Sequence, residues 1–569
     1  MRATLLLGLT LGPSLPALLP AQELVWERVG VQGQNIVGGG AVVALGDINR
    51  DRYDDLLHMA NTIRCVGTGR DLEIQLWLLS GRDGRTLRVR PRFAQRRSYW
   101  TIAAAGDVDA DGTPDYAVTI LDIRNPPTAN LVQVCSGKDD RVIWQVSGPS
   151  SNSFGWALLG GLDLDGDRRP DLVVGGMFSG RLGVIYAYSS KGKLLYQVKS
   201  NPQFKFPFTS DRYLGRVGDV DRDGIDDYVV GANDVVGLRH TGIVLSGKTG
   251  KVLVRGLNPW PGEALGWAVD GCGDLDGDGV PDFAAGSAAG AFSRGAVAAF
   301  SGSPGKVIQK WDWTQPTITA IGWSVRSGGM DLDRDGVPDL VVGGIATTSK
   351  NDAVAVFSGR DGKLIHQLDS PRRPPARRTS LGQDLEVLPP QPGSQFPLFA
   401  TGELGYGHYD SYKCGFYMNL PRGRLRLWRG SPAGVQTFGA ACRGSLATSP
   451  KIGIRDLQGK GARIHLSEGA SGSPALLLLG LSRSKWGTIP LPLALDPLGF
   501  RGCKLYTSVE LWFGASTGTT GNAKGYAFFD LPLPLASGKG SFTLHGQWVS
   551  FGSGPSWPGA LSDPMLWRH

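Results

Sequence analysis

Asp274-Leu-Asp276-Gly-Asp278-Gly279-Val280-Pro-Asp282 is the fifth copy of a pattern that also starts at Asp47, Asp107, Asp163, Asp219 and Asp331. The copies are 60, 56, 56, 55 and 57 residues apart, so the chain is a repeat array before any strand is assigned. In each copy, positions 1, 3, 5 and 9 carry oxygen side chains. They are Asp47, Asn49, Asp51 and Asp55; Asp107, Asp109, Asp111 and Asp115; Asp163, Asp165, Asp167 and Asp171; Asp219, Asp221, Asp223 and Asp227; Asp274, Asp276, Asp278 and Asp282; and Asp331, Asp333, Asp335 and Asp339. Alternate carboxylates in a tight loop aim at one centre and suit a hard, flexibly coordinated cation, calcium, about six ions in all. Position 7 is expected to add a backbone carbonyl: Tyr53, Thr113, Arg169, Ile225, Val280 and Val337. One such loop alone reads equally well as a solvated turn; six in a single period favour the ion.

Position 6 is Gly112, Gly224, Gly279 or Gly336 in four copies, as a turn with positive φ requires, and Arg52 or Arg168 in the other two. An EF-hand is excluded. It needs a bidentate Glu at position 12 and helical flanks, whereas position 12 of the sixth copy is Val342, inside Leu340-Val-Val-Gly-Gly. Short β-branched runs ending in Gly read as strands. Each period opens with Phe154-Gly155-Trp156-Ala157, Leu265-Gly266-Trp267-Ala268 or Ile321-Gly322-Trp323-Ser324, expected as a first strand, then the acidic loop and a second strand. A third strand ends in Ser-Gly (80–81, 136–137, 246–247, 301–302, 358–359), and a fourth lies at 86–89, 142–146, 194–198, 252–254, 307–311 or 364–368. Four strands per unit of this length make one propeller blade.

This combination resembles the FG-GAP repeat of the integrin α-subunit β-propeller and its secreted bacterial relatives, over residues 23–433. The resemblance implies calcium at loop positions 1, 3, 5 and 9, in a mainly structural role on the face away from the usual ligand site. The seventh blade keeps its strands around Leu381-Gly382 and 387–402 but lacks carboxylates, so no ion is expected there. Its third strand is expected at 425–428. Its missing fourth is supplied by Leu24-Val-Trp-Glu-Arg-Val29, which parallels Val142-Ile-Trp-Gln-Val146. The predicted architecture is all-β: a signal peptide at 1–21, a seven-bladed propeller at 22–433 and a smaller β-sandwich at 434–569.

Residues 1–21 carry Arg2 and an apolar stretch broken by Pro13 and Pro16, too short and kinked to span a bilayer. No later stretch is long and apolar enough to do so. The expected location is therefore secreted or at the cell envelope. Six cysteines exclude a disulfide-built scaffold but allow individual bonds, expected as Cys65–Cys414 and Cys442–Cys503, with Cys135 and Cys272 free and buried. Formal net charge is +8; committing 23 of the 51 acidic residues to ions leaves 28 against 59 Lys and Arg. Arg92, Arg96 and Arg97, and Arg372, Arg373, Arg377 and Arg378, fall in fourth-to-first-strand connections, away from the acidic loops. Such a face attracts an anionic polysaccharide or a cell-surface protein, or simply keeps the chain soluble. Export argues against nucleic acid as a partner.

From 434 onward short β runs at 475–481, 505–513, 526–531 and 541–551 are punctuated by Gly, Pro and Ser. This region resembles a C-terminal module of secreted bacterial proteins through Cys442-x-Gly444, the Leu-Pro alternation at 489–495 and Gly502-Cys503. Trp486, Trp512, Trp548 and Trp557 either line a sugar-binding face or fill the core. No Gly-x-Ser-x-Gly elbow or helically spaced His pair marks an enzyme. The one candidate is Tyr406-Gly-His408-Tyr409-Asp-Ser-Tyr-Lys413, an insertion in blade seven. It reads as a proton-abstracting cluster of a polysaccharide lyase, an aromatic ligand contact, or a packed loop. An extracellular binding or adhesion role is the leading expectation, with a lyase as the alternative.

Overall fold

A computed structural model describes residues 22–29, 34–35, 42–66, 69–90, 97–122, 130–148, 153–178, 182–200, 213–232, 240–260, 263, 265–287, 295–312, 321–344, 353–369, 381–382, 384–392, 396–403, 424–432, 435–437, 440–442, 446, 448–456, 462–498, 500, 503–531, 543–551 and 560–568. Two compact units emerge, one holding residues 24–431 and 519–524 and the other 432–518 and 525–569.

The first unit is a ring of seven antiparallel sheets. Blade three shows the plan: Ala157–Leu162, Asp171–Phe178, Leu182–Tyr188 and Leu194–Lys199, paired in sequence order. Its second strand is buried on both faces, which is why it reads as an unbroken apolar run rather than alternating. The fourth strand, at the blade's outer edge, alternates exposed and half-buried residues. The core is not one mass but seven layers, each shared by two neighbouring blades. Val173, Ile185 and Ala187 of blade three, for instance, pack on Tyr228, Val230 and Ile243 of blade four. The layer closing the ring joins Leu388, Leu398 and Leu425 to Val42, Leu56 and Leu79.

Closure follows the sequence reading. Gln22–Val29 is the outer strand of blade seven, beside Arg424–Pro432, Leu398–Glu403 and Asp384–Leu388. Glu27 accepts a hydrogen bond from Arg426 at 2.7 Å, and the Trp26 indole donates to the Gly81 carbonyl of blade one at 2.8 Å. The Trp311 indole of blade five likewise donates to a blade-six carbonyl, that of the turn residue Gly362.

Two local expectations are corrected. The Phe-Gly-Trp segment is a turn in blades three and five, where the first strands begin at Ala157 and Ala268; only blade six runs as a strand from Ile321. The glycine takes positive φ in all three copies, 82° at Gly155, 92° at Gly266 and 99° at Gly322, so it does not by itself decide between turn and strand. A Cβ on Gly266 would sit 2.2 Å from the Thr241 carbonyl oxygen. Cys65, expected to bond to Cys414 from a connection between the second and third strands, lies inside the second strand of blade one. The second strand continues over Asp55–Val66 and pairs Cys65 with Arg70. Cys414, the other half of that expected bond, lies outside the described residues.

The second unit contains a larger antiparallel sheet, in the order Val435–Thr437, Met565–Arg568, Thr543–Ser550, Pro474–Gly480 and Leu511–Ser516, and a three-stranded one of Lys451–Asp456, Ala462–Ser467 and Ala527–Leu531. Phe513 of the first stacks on Phe529 of the second with ring centroids 3.9 Å apart. The run expected at 505–513 is broken after Leu505. There Ser508 donates to Glu510 and accepts the Leu481 N–H, fixing a turn before Leu511. Trp548 is core; Trp512 is 65% and Trp486 38% exposed, and Trp557 lies outside the described residues. Cys442 and Cys503 form a disulfide, while Cys135 and Cys272 are buried free thiols. The bond closes a 61-residue separation. Replacing both cysteines with Ser is expected to cost this unit about 2–4 kcal/mol, read as a lower denaturation midpoint for its transition. An unchanged midpoint would show that the bond carries no stability.

Candidate metal centres

Loops one to five are each entered through a β-bulge. The residue before position 1 is Gly46, Gly106, Gly218 or Gly273 in loops one, two, four and five, with φ between 69° and 109°. These glycines lie against the next blade: a Cβ on Gly106 would be 2.7 Å from Pro170, and one on Gly273 2.7 Å from Pro338. Both prolines are position 8 of the following loop. The loops are therefore built at blade-to-blade contacts.

Positions 4 and 6 both adopt the left-handed conformation, including Arg50, Arg52, Ala110, Arg168, Arg222 and Arg334. Sequence reading found this only at position 6, and there only through glycine. The two kinks point consecutive N–H groups inward. In loop two, Asp107 accepts the N–H of Asp111 and of Gly112 at 3.0 and 2.9 Å, Asp109 that of Asp111 at 3.1 Å, and Asp111 that of Thr113 at 2.9 Å. The position-7 residues are thus anchored by N–H bonds to position 5, equally at Tyr53, Arg169, Ile225, Val280 and Val337.

Position 9 has a separate task. Asp282 is fully buried. One oxygen accepts the Leu275 N–H at 2.7 Å, and the other the Gly302 N–H at 2.8 Å, after the third strand. Asp55, Asp115, Asp171, Asp227 and Asp339 make the same two bonds to their own loop and to Gly81, Gly137, Ser190, Gly247 and Gly359. Burial pushes these carboxyls up, against the pull of the N–H groups, to about 6 at Asp55, Asp115 and Asp227 and about 7 at Asp171 and Asp282. The recurrent Ser-Gly also has its reason here. A Cβ on Gly359 would stand 1.9 Å from the Pro338 carbonyl oxygen, and one on Gly137 1.8 Å from that of Pro114. Neither role was visible in the spacing alone, although the recurrence of Ser-Gly one strand after five of the six loops was the available signal.

Positions 1, 3 and 9 converge. In loops two to six, carboxylate oxygens from Asp107, Asp109 and Asp115, from Asp163, Asp165 and Asp171, from Asp219, Asp221 and Asp227, from Asp274, Asp276 and Asp282, and from Asp331, Asp333 and Asp339 lie within 4.8 Å of one another. Oxygens about 2.4 Å from a shared calcium stand at most twice that distance apart. The donor set is all hard oxygen, with no thiol or imidazole, so a divalent hard cation fits. Loop one brings only two carboxylates to these positions, because Asn49 holds position 3 and donates its amide to Asp55 at 3.4 Å. Position 5 stands outside the converging sets. Its outer oxygen is instead paired with a base in three loops: Asp111 with Lys138 at 3.6 Å, Asp223 with Lys248 at 3.5 Å and Asp335 with Arg360 at 3.0 Å.

These bases correct the charge picture. Part of the basic excess sits beside the acidic loops, where Arg141 also pairs with Asp109, rather than on the opposite face. A residue two positions after the third-strand Ser is well placed to reach back to its own loop. Of the basic cluster expected opposite, Arg96, Arg373 and Arg377 lie outside the described residues, and Arg97 begins the strand Arg97–Gly106. Tyr406, His408 and Tyr409 also lie outside them. Among the described residues no helix is long and apolar enough to cross a membrane.

The family model described as FG-GAP repeat matches residues 154–188, from the Phe-Gly-Trp turn of blade three through its third strand. Integrin alpha-5 of Xenopus laevis is 33% identical over 273 residues, 46% of this chain and 21% of the integrin. Integrin alpha-7 of Rattus norvegicus is 26% identical over 369 residues, 60% of this chain and 31% of the relative. The chain thus spans about a fifth to a third of the length of these relatives. Among solved structures, the Dos1 propeller aligns with a TM-score of 0.36 at 11% identity, covering 72% of this chain and 96% of that one. The repeat, the seven antiparallel blades and the similarity to integrin α subunits agree on an FG-GAP repeat β-propeller.

Proposed function

We propose that the protein is an extracellular binding or adhesion module whose propeller is held rigid by calcium. The observation that carries the ion is the convergence of three carboxylates in each of five loops. Asp47, Asn49, Asp51 and Asp55 make a sixth site with one carboxylate fewer. Each ion would be held by positions 1, 3 and 9, with the position-5 carboxylate and the position-7 carbonyl completing the set, and would supply positive charge that offsets carboxylate repulsion. The residues around it fix its place: the left-handed kinks close the loop, and position 9 ties it to the third strand. The role of the ion is therefore to lock blades rather than to do chemistry.

The ligand is proposed to be an anionic polysaccharide or a cell-surface protein, met by the surface left basic once the loop acids are committed. A glycan array run on the full-length protein with and without calcium tests this. Saturable retention on acidic glycans, lost at moderate salt and weakened by chelation, is the expected result. Retention on neutral glycans alone, or none at all, would overturn the polysaccharide assignment and leave the protein partner.

A further inference from the structure

The six loops are not alike, and the difference lies outside the repeat pattern that defines them. The residue after the third-strand Ser-Gly is Lys138, Lys248 and Arg360 in blades two, four and six. Each places its cationic group on the outer oxygen of the position-5 carboxylate, 3.0 to 3.6 Å away. The inner oxygen of the same carboxylate already accepts the position-7 N–H, at 2.9 to 3.0 Å. Both oxygens of Asp111, Asp223 and Asp335 are therefore engaged by the protein itself. Arg360 is the most enclosed of the three bases, and its partner Asp335 is almost fully buried, so solvent screens that pair least.

Loop five is the opposite case. Ser303 stands where the base would be, positions 4 and 6 are Gly277 and Gly279, and among the described residues no cationic group lies within 4 Å of Asp274, Asp276, Asp278 or Asp282. Loop three has Lys191 at the corresponding place, after Ser189-Ser190, yet it is exposed and forms no ion pair with Asp167. The third-strand turn there is one residue shorter. The Ser189 N–H donates to the Lys193 carbonyl, four residues on, where the Ser136 N–H donates to that of Arg141, five residues on. That shortening moves the lysine away from its loop.

We propose that Lys138, Lys248 and Arg360 are resident counter-cations that hold loops two, four and six closed without a metal, so that among loops two to six it is three and five whose closed form depends on the bound ion. The inference rests on the proposed assignment of the loops as calcium sites. It concerns this chain's own residues: a fixed positive charge does part of the ion's work, and competes with the ion for the same oxygen. The propeller would then carry two grades of site, tight ones at loops three and five and weaker, dispensable ones at two, four and six.

Hydrogen–deuterium exchange on the full-length protein, with bound calcium measured by elemental analysis before and after chelation, tests the proposal. Chelation is expected to speed amide exchange about tenfold in 163–171 and 274–282, and to leave 107–115, 219–227 and 331–339 within about twofold of the loaded protein. Lys248→Met should make loop four sensitive to chelation, and Ser303→Lys should make loop five insensitive. Ser303→Lys replaces a turn residue and does not depend on the fate of the lysine variant. Uniform loss of protection in all five loops, or a loop five that stays chelation-sensitive in Ser303→Lys, overturns the counter-cation. Absence of bound calcium with no change in any loop overturns the calcium assignment and this proposal with it.

Discussion

Chelation at pH 8 is expected to lower the melting temperature of the propeller by about 10 °C, and the drop is expected to vanish near pH 5. The position-9 carboxyls are the cause. Burial raises them to about 6 at Asp55, Asp115 and Asp227 and about 7 at Asp171 and Asp282, from an unfolded value near 3.8. Between those values the folded chain binds protons that the unfolded chain does not, so stability of the metal-free protein falls as pH rises from about 4 to about 7. At pH 8 these acids are ionised, buried and near other carboxylates, and the metal-free fold is at its weakest. A calcium ion answers this charge directly; each saturated site adds about 2.7 kcal/mol at a hundredfold excess over its dissociation constant. At pH 5 protons already occupy the position-9 acids and the ion has little to add. Calorimetry with calcium and with EDTA at the two pH values checks both halves. Identical melts at pH 8 would remove calcium from the account, and a larger chelation effect at pH 5 than at pH 8 would reverse the electrostatics.

Gly359→Ala is expected to destabilise the propeller by about 4 kcal/mol, among the largest effects of any single methyl group in the molecule. The added carbon would lie 1.9 Å from the Pro338 carbonyl oxygen, and the backbone on both sides is tied. Gly359 donates to Asp339 at 3.1 Å, and Asp339 in turn holds Leu332 at 2.7 Å. Relieving the clash therefore pulls the third strand off the loop and leaves a buried carboxyl short of a donor. Gly112→Ala is the control: its φ is 83°, but nothing stands within 4 Å of the added carbon, so only the backbone conformation resists, at about 1 kcal/mol. Urea denaturation of both variants decides the matter. Equal costs would mean that the close approach at Gly359 is not what constrains it. Blade three supports the distinction, since its shorter turn admits Ser190 where the other ion-loop blades carry glycine.

The sequence made the ring legible because the period, the strand runs and the acidic loops all repeat within one blade. The closing strand was legible too, through the likeness of Val25-Trp26 to Ile143-Trp144. What escaped was whatever joins one blade to the next. The contact of Gly106 with Pro170, or of Gly273 with Pro338, links residues about one period apart, and a pattern read within a single copy does not show that they touch. The same holds for Lys138 and Asp111, whose pairing needs the geometry of a turn and not just its composition. Phe-Gly-Trp was read as strand because its apolar residues suit one; its glycine has positive φ in all three copies, and only in blade six does the segment run within a strand. The carboxylates at positions 1, 3 and 9 were legible, whereas the second duty of position 9 as a tie to the third strand was not.

The pairing of Glu27 with Arg426 spans 399 residues of chain. The strand that emerges early from the ribosome is thus among the last to find its partner. Until residues 424–432 arrive, blade seven has a vacant edge and blade one lacks the tryptophan that seals its flank. Six blades can fold locally as they appear, but the circle cannot close until the whole array has been made. Assembly is therefore expected to end in a slow, long-range step, with an open-ring intermediate whose bare strand edges are the most aggregation-prone surface the molecule ever presents.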